Sequence, residues 1–268
     1  MKDKVVIITG ASSGIGRALA FEFAGKGAKC VLGARNYDKL AEIAEEIKLK
    51  GGEVAFAQTD VTSENDCKNL VHTAVEQFGT VDVLINNAGI SMRALFKDVD
   101  LNVLKRVMDV NFWGTVYCTK HVLPYILEQK GSIVGVSSIG GIKGLPGRTG
   151  YSASKFAMGG LLECIRTEHL KDDLHVLVAY PGFTASNIRN TALAADGSQQ
   201  GETPRDEQKM MSAEEVAEHI YKAVKKRKNT IVLTTEGKLV ALVNKFFPNW
   251  LSKKVYESFA KEDNSPVK

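Results

Sequence analysis

The chain lacks any apolar run long enough to span a membrane, and its cysteines form no Cys-x-x-Cys pair. The four cysteines (Cys30, Cys67, Cys118 and Cys164) are scattered, so we expect reduced, mostly buried thiols and no metal site. The net charge is only +4, which gives no reason to expect a nucleic-acid partner. Residues 1–4 lead directly into the first apolar stretch, which leaves no room for a signal peptide. We therefore expect a cytoplasmic protein.

A glycine-rich turn follows the first apolar stretch. The stretch from Lys4 to Thr9 is rich in β-branched residues, which is typical of a strand buried on both faces. It continues into Thr9-Gly10-Ala11-Ser12-Ser13-Gly14-Ile15-Gly16 and then into a helical pattern. A strand, a glycine turn and a helix N-terminus bind the pyrophosphate of a dinucleotide, because glycines allow close approach and the helix offers free N–H groups. An ordinary turn between a strand and a helix is the alternative.

The second and third predicted strands end in residues that suit the adenosine half of such a ligand. Arg35 follows the second strand, where an acidic residue would favour NAD. Its guanidinium suits a 2′-phosphate, which predicts NADP(H); the alternative is a solvated loop residue. Asp60 follows the third strand and either accepts a hydrogen bond from the adenine amino group or caps the next helix.

Strand and helix patterns alternate along almost the whole chain, and strands are predicted to begin near residues 4, 28, 53, 81, 132, 174 and 230. This alternation predicts an α/β protein with a single-domain Rossmann fold, a doubly wound sheet of seven parallel strands with helices on both faces. We assign residues 1–236 to this domain, including a substrate loop at 185–211. Residues 237–260 are predicted to form a helical extension packed on the same domain, and residues 261–268 a flexible tail.

A tyrosine, a lysine and a serine are typical of a proton-transfer site. Tyr151 and Lys155 stand four residues apart, so a helix places them on one face, and Ser138 precedes the tyrosine by thirteen residues. An ammonium beside a phenol stabilises the phenolate, and about 4 kcal/mol from Lys155 and any nearby cofactor charge would bring the pKa of Tyr151 from about 10 to near neutral. Ser138 would hydrogen-bond a substrate oxygen. The alternative is an exposed tyrosine and lysine on an ordinary helix.

Together these motifs resemble the short-chain dehydrogenase/reductase family. The matching segments, spread over residues 4 to 235, are Thr9-Gly10-x-x-x-Gly14-x-Gly16, Asp60, Asn86-Asn87-Ala88-Gly89, Asn111, Ser138, Tyr151-x-x-x-Lys155 and Pro181-Gly182. Within the family, the segment Gly33-Ala34-Arg35 and the C-terminal part are similar to the 11β-hydroxysteroid dehydrogenase-like group. Ser13 is a departure, because many NADP-type relatives carry a basic residue there, so the preference for NADP(H) depends mainly on Arg35.

The resemblance implies roles for individual residues. Tyr151 would be the acid or base, and Ser138 would orient and polarise the carbonyl. Lys155 would hold the nicotinamide ribose and lower the tyrosine pKa. Asn111 would anchor a proton-relay water; a helix kink or a structural hydrogen bond is the alternative. The residues expected to contact the cofactor are Gly10, Ser12, Ser13, Gly14, Ile15, Gly16, Arg35, Asp60, Val61, Asn87, Ala88, Gly89, Tyr151, Lys155, Pro181, Gly182, Phe183 and Thr184.

The resemblance also implies an activity, the NADP(H)-dependent transfer of a hydride between nicotinamide and a ketone or secondary alcohol. A bulky hydrophobic alcohol such as a hydroxysteroid fits better than the alternative, a 3-oxoacyl group on acyl carrier protein. Outside the enzymes, the alternative is a non-catalytic NADP(H)-binding regulator. The side chains expected to form an apolar part of the substrate pocket, or else simply core, are Met92, Leu95, Phe96, Leu145 and Phe183.

The C-terminal extension carries an apolar pattern interspersed with lysines. The apolar residues with roughly helical spacing are Leu239, Leu242, Val243, Phe246, Trp250 and Leu251, and Pro248 should interrupt the helix. Such a face packs over the pocket, meets another subunit or lies on a membrane surface, and we favour the first two. The resemblance implies a homodimer or homotetramer formed through helices near residues 102–128 and 150–170.

Overall fold

The structure is a computed structural model, and it describes residues 1–185, 187–201, 210–262 and 264–267. Seven strands form one sheet in which all neighbouring strands are parallel. In chain order the strands are β1 (Val5–Thr9), β2 (Lys29–Ala34), β3 (Val54–Gln58), β4 (Val83–Asn86), β5 (Ser132–Val136), β6 (His175–Tyr180) and β7 (Thr230–Val232). Each begins within two residues of its predicted start, which confirms the predicted sheet.

Across the sheet the strands lie in the order β3-β2-β1-β4-β5-β6-β7. The chain runs outward from β1 to β3, crosses back to place β4 beside β1, and continues in the other direction. This reversal leaves a crevice at the carboxyl ends of β1 and β4, which is where doubly wound sheets bind ligands. The predicted Rossmann-type α/β fold is therefore confirmed.

Helices connect the strands and cover both faces of the sheet. They are α1 (Gly14–Gly25), α2 (Tyr37–Leu49), α3 (Glu64–Phe78), α4 (Leu101–Met108), α5 (Gly114–Glu128), α6 (Thr149–Glu168), α7 (Ala213–Lys225), α8 (Thr235–Phe246) and α9 (Pro248–Ala260). A π-helical turn, Asp109–Trp113, joins α4 to α5. Helix α7 begins at a reciprocal capping box formed by Ser212 and Glu215.

The central strand β1 shows why its sequence is apolar at every position. Val6 and Ile8 belong to the core beneath α1 and α7, whereas Val5 and Ile7 belong to the core beneath α3, α5 and α6. Side chains alternate between the two faces of a strand, so a strand covered on both faces needs apolar residues throughout. The same burial fixes the position of the glycine turn that follows β1.

The C-terminal extension is a pair of helices, α8 and α9, with Pro248 as the first residue of α9, which confirms the predicted break. Leu251 and Phe259 are buried. More than half of the surface of four other side chains is exposed, namely Leu239, Leu242, Phe246 and Trp250. The prediction that this apolar face covers the pocket is therefore wrong. Helix α8 contacts the domain through Gly237 instead, and Asn244 Nδ2 donates to the carbonyl oxygen of Ile142 at 3.0 Å.

Part of the predicted flexible tail is packed on the domain. Glu262 is buried, and its Oε2 lies 3.5 Å from Arg93 Nη2. Residues 263 and 268 of the tail, and residues 186 and 202–209 of the predicted substrate loop, lie outside the described residues. No helix in the described ranges combines the length and apolarity needed to cross a bilayer. The four cysteines are free thiols, three buried and Cys164 exposed, as predicted.

Candidate active site

A cavity of about 690 Å³ lies at the carboxyl ends of the strands, over the crevice between β1 and β4. Every residue expected to contact the cofactor lines this cavity except Gly16, which is buried. Ser138, Tyr151 and Lys155 line the same cavity, and Asn111 is buried beneath it. Segments far apart in the sequence therefore meet in one place, while their binding of a cofactor stays a prediction.

Backbone contacts that only glycine permits shape the turn after β1. Gly10 has a φ of 66°, and a Cβ on it would lie 2.8 Å from the Cα of Ala88. A Cβ on Gly16 would overlap the carbonyl oxygen of Gly10 and lie 2.6 Å from Asn87 Nδ2. The N-terminus of α1 therefore sits directly against the turn. Ser13 precedes α1, and its hydroxyl makes no capping hydrogen bond, so it is available to a phosphate oxygen.

Asn87 holds the glycine turn against β4. Its Nδ2 donates to the carbonyl oxygen of Thr9 at 2.9 Å, and its backbone N–H donates to Thr9 Oγ1 at 3.0 Å. The backbone N–H of Ala88 donates to the same hydroxyl oxygen at 3.0 Å. These bonds join the two strands that flank the crevice. Ala88 and Gly89 then line the cavity with little side-chain bulk, as a flat ring requires.

Arg35 is the basic residue at the rim of the adenosine side. Its side chain is exposed and lines the cavity. Arg17, the other basic residue near the glycine turn, is held elsewhere: its Nη2 lies 3.0 Å from Glu46 Oε2, and its guanidinium lies 4.6 Å from the centroid of the Phe21 ring. Arg17 does not line the cavity. Only Arg35 of these two is placed to meet a 2′-phosphate.

Asp60 lies at the end of β3 and lines the cavity, but it does not cap α3. Its Oδ1 accepts hydrogen bonds from the backbone N–H and the hydroxyl of Thr62, at 3.0 and 2.8 Å. Ser63 is the cap, since its Oγ accepts from the backbone N–H of Asp66 at 3.2 Å. The alternative in which Asp60 caps the helix is therefore wrong, and contact with adenine stays a prediction.

Tyr151 and Ser138 meet in the deep part of the cavity. A hydrogen bond with the Ser138 side chain lowers the pKa of Tyr151, but burial of the phenol has the larger effect and raises that pKa above its ordinary value of 10.0. Ser138 is itself positioned by the backbone N–H of Gly140, which donates to its Oγ at 3.1 Å. The phenol therefore keeps its proton at neutral pH and is arranged to donate it.

Lys155 lies one helical turn beyond Tyr151 and lines the same cavity. Its Nζ donates to the carbonyl oxygen of Val136 at 2.9 Å and lies 5.9 Å from the centroid of the Tyr151 ring. Burial lowers the pKa of Lys155 to about 8. The cations that lower the pKa of Tyr151 are Arg148 and Arg189. Lys155 is not among the groups that lower the pKa of Tyr151 here, and the expectation that Lys155 and a cofactor charge together bring that pKa near neutral stays a prediction.

Asn111 occupies the π-helical turn between α4 and α5. Its Oδ1 accepts from the backbone N–H of Ile90 at 2.8 Å, and its Nδ2 donates to the carbonyl oxygen of Ile90 at 2.9 Å. The same Nδ2 donates to Ser154 Oγ at 2.9 Å. The side chain ties α6 to the loop after β4. The structural alternative for Asn111 is confirmed, whereas its role in holding a relay water stays a prediction.

Sequence reasoning missed two buried arginines beside the tyrosine, Arg148 and Arg189. Arg148 stands three residues before Tyr151, so its spacing was a usable signal. Arg189 lies within the predicted substrate loop, and nothing in the polar sequence around it signals burial.

The apolar side chains expected around the substrate are only partly there. Leu145 and Phe183 line the cavity. Met92 is fully buried in a core cluster with Val103 and Leu193. Phe96 is 65% exposed on the surface, and Leu95 is outside the cavity wall. The cavity is therefore more polar near Tyr151 than predicted.

The chain is similar to many known proteins. Residues 4–197 match the family model described as short chain dehydrogenase. A dehydrogenase/reductase SDR family member 7B from Mus musculus is 38% identical over 239 residues, which are 87% of this chain and 74% of the relative. An 11-beta-hydroxysteroid dehydrogenase-like 2 from Arabidopsis thaliana is 41% identical over 187 residues, which are 69% of this chain and 60% of that relative.

A solved structure shares the fold. It is the X-ray structure of an alcohol dehydrogenase from the archaeon Thermococcus sibiricus complexed with 5-hydroxy-NADP. It superimposes with a TM-score of 0.76 and 25% sequence identity, covering 86% of this chain and 95% of the other.

Proposed function

The chain belongs to the short chain dehydrogenase family of oxidoreductases, and from that premise we propose that it uses NADP(H) to interconvert a ketone and a secondary alcohol. One observation carries the proposal: Tyr151 and Ser138 line the same cavity as the glycine turn and Arg35. When bound, the nicotinamide supplies or accepts the hydride.

The residues of this chain supply the proton and the polarisation. In the direction of reduction, Tyr151 donates its proton to the carbonyl oxygen, a transfer that its raised pKa suits because the phenol is protonated at neutral pH. Ser138 donates a hydrogen bond to the same oxygen as negative charge develops on it. Lys155 would hold the ribose hydroxyls of the nicotinamide half.

Two features support NADP(H) over NAD(H). The guanidinium of Arg35 at the cavity rim suits the two additional charges of a 2′-phosphate. The uncapped hydroxyl of Ser13 offers a second donor nearby. The solved relative complexed with 5-hydroxy-NADP is in keeping with this choice.

Replacing Arg35 with serine is expected to weaken NADPH binding by about 10- to 100-fold, because a charge-assisted hydrogen bond to an anion contributes about 1.5–3 kcal/mol. NADH binding should change less than threefold. Both affinities are measured by fluorescence titration. Arg17→Ser is the matched control, since Arg17 pairs with Glu46 outside the cavity and should leave NADPH affinity unchanged. An equal loss for NADPH and NADH in Arg35→Ser would contradict the assignment.

The activity should fall above pH 8. Lys155 loses its proton as the pH rises through about 8, whereas Tyr151 stays protonated because its pKa is raised. The kcat/KM for NADPH reports ionisations of the free enzyme, so it should be constant below pH 8 and fall about tenfold per pH unit above it. A profile measured from pH 6 to 9.5 tests this. Lys155→Arg keeps its charge and should flatten the profile; a flat profile in the wild type would contradict the prediction.

The proposed activity is tested by following NADPH oxidation with a panel of ketones and 3-oxoacyl thioesters, with NADH in parallel. Turnover of ketones, with NADPH preferred, is the expected result. Preferential turnover of the thioesters would instead assign the protein to 3-oxoacyl reduction. If the protein binds NADPH but turns over none of these compounds, the alternative of a non-catalytic NADP(H)-binding regulator would be favoured.

We propose a homodimer or homotetramer formed through α4, α5 and α6, and a peripheral membrane contact through α8 and α9. Trp113, on the turn before α5, is 44% exposed, and Trp250, at the start of α9, is 55% exposed beside Phe246. Trp113→Lys is expected to give a monomer by light scattering. Trp250→Lys should keep the oligomer but lower co-sedimentation with anionic vesicles, since exposed aromatic and basic side chains bind such surfaces. Loss of vesicle binding in Trp113→Lys together with a monomeric Trp250→Lys would contradict both assignments.

A further inference from the structure

Arg148 is a buried cation beside the reacting groups, and the mechanism above does not use it. It immediately precedes α6, three residues before Tyr151, and is only 8% exposed. Its Nη1 donates to Ser91 Oγ at 2.9 Å and to the carbonyl oxygen of Met92 at 3.1 Å. Both acceptors are neutral, so these two bonds fix the side chain in position but supply no counter-charge.

Among the described residues, Nε and Nη2 of Arg148 have no hydrogen-bond partner, and its guanidinium forms no ion pair. Burial removes water from the guanidinium and lowers the pKa of Arg148, and the positive charges of Arg93 and Arg189 act in the same direction. Tyr151 and the carboxylate of Glu262 act in the opposite direction, but that carboxylate already lies 3.5 Å from Arg93. A buried charge in such surroundings is unfavourable unless an anion is brought to it.

The cavity is the place from which such an anion would come. Arg148 and Arg189 both line it, together with Tyr151 and Ser138. Arg189 is 6% exposed, and its Nη1 donates to the carbonyl oxygen of Thr184 at 3.0 Å, which places it on the loop after β6. A ligand in the cavity therefore meets guanidinium groups from two different segments. A guanidinium binds carboxylates and phosphates through paired N–H donors.

We propose that the substrate carries a carboxylate or a phosphate within a few bonds of its carbonyl group, and that Arg148 binds this anion while Tyr151 acts on the carbonyl. Arg148 and Tyr151 stand three residues apart and line the same cavity, so one bound ligand can reach both side chains. This inference rests on the proposed oxidoreductase activity. It makes Arg148 a residue that determines specificity, and it favours a charged ketone over a wholly hydrophobic one.

The test uses pairs of ketones that differ only in the anion. The carboxylate arm compares 2-oxo, 3-oxo and 4-oxo pentanoate with their methyl esters, and the phosphate arm compares dihydroxyacetone phosphate with dihydroxyacetone. NADPH oxidation by the full chain gives kcat and KM for each. In at least one pair, the anionic member is expected to have a kcat/KM about 100-fold or more above that of its neutral partner, and the arm that does so identifies the anion.

Arg148→Met removes the charge and keeps similar bulk. It is expected to lower kcat/KM for the anionic member about 100-fold, mainly through KM, and to change the neutral member less than threefold. Arg148→Lys keeps the charge but not the paired N–H donors. Its kcat/KM for the anionic member should therefore lie between the values for the wild type and for Arg148→Met. Arg166→Met makes the same change on the far part of α6, outside the cavity, and should leave both members unchanged. Cooperative unfolding and unchanged NADPH affinity show that each variant is folded.

Equal turnover of the charged and neutral members by the wild type would overturn the inference while leaving the oxidoreductase activity intact. An equal loss of kcat/KM for the charged and the neutral member in Arg148→Met would also overturn the inference. That result would instead make Arg148 a positioning residue for Tyr151. If no ketone is reduced, the proposed activity fails, and binding decides the inference separately. Calorimetric titration of succinate and of inorganic phosphate into the protein with NADP⁺ should then show affinity that Arg148→Met abolishes, and affinity retained in that variant would overturn it.

Discussion

Replacing Tyr151 with phenylalanine is expected to lower kcat for carbonyl reduction by about 10²- to 10⁴-fold, the range that a positioned proton donor contributes. The phenol lines the cavity beside Ser138, and burial raises its pKa, so it holds a proton that it can donate to a carbonyl oxygen. Phenylalanine keeps the ring and its packing but removes the proton. NADPH affinity should therefore stay within about twofold of the wild type, measured by fluorescence titration beside stopped-flow oxidation of NADPH.

Tyr180→Phe provides the matched control. Tyr180 is the last residue of β6, its pKa is also raised mainly by burial, and its hydroxyl lies outside the cavity. Its loss should leave kcat unchanged. Full activity in Tyr151→Phe, or an equal decrease in both variants, would remove Tyr151 from its proposed role.

Gly16→Ala is expected to reduce NADPH affinity at least 100-fold and to lower the free energy of unfolding by about 2 kcal/mol or more. A methyl group there overlaps the carbonyl oxygen of Gly10 and presses on Asn87 Nδ2, so the glycine turn must move away from β4. Overpacking of a tight site typically costs about 1–3 kcal/mol. Urea unfolding and NADPH titration measure the two effects.

Gly25→Ala adds the same methyl group at the other end of α1. A Cβ on Gly25 would meet no heavy atom within 4 Å. Alanine restricts the unfolded chain and suits a helix, so this variant should gain up to about 1 kcal/mol and bind NADPH normally. A loss of cofactor affinity in Gly25→Ala would show that helix α1 tolerates no change, and that the close approach at Gly16 is not the cause.

The strands and the cofactor side of the cavity were predictable because their signals are local. A strand covered on both faces must be apolar throughout, and the glycine turn must follow it directly. The strand Val5–Thr9 and the turn at Gly10 can therefore be recognised in the sequence. The carboxyl ends of parallel strands share one edge of the sheet. Residues such as Asp60 and Ser138 therefore came together in the structure as their positions after successive strands indicated.

The electrostatics around Tyr151 were not predictable, because they depend on burial and on contacts between distant segments. Helical spacing places Lys155 near the phenol, but it does not reveal that the ammonium donates to the carbonyl oxygen of Val136 in β5. Nor does it reveal that Arg148 is held by Ser91 and Met92, from the loop after β4. The pKa of a buried group reflects all of these together.

The packing of the C-terminal helices α8 and α9 was not predictable from the sequence either. Their spacing predicts an apolar face, but spacing does not say what covers that face. In the structure Phe246 and Trp250 are exposed, while Gly237 makes the close contact with Ile139. A contact made by a glycine leaves no hydrophobic signal in a sequence.

The π-helical turn at Asp109–Trp113 means that the segment from α4 to α5 cannot lose a residue without a change in structure. Such a turn holds one residue more than an α-helical turn, and each residue rotates a helix by about 100°. Deleting a single codon here would merge α4 and α5 into one continuous helix and swing Thr119, which accepts from Asn86 Nδ2 at 3.0 Å, away from β4. Asn111 would also lose its partners. Substitutions along this stretch are thus far easier to accommodate than the in-frame loss of one amino acid.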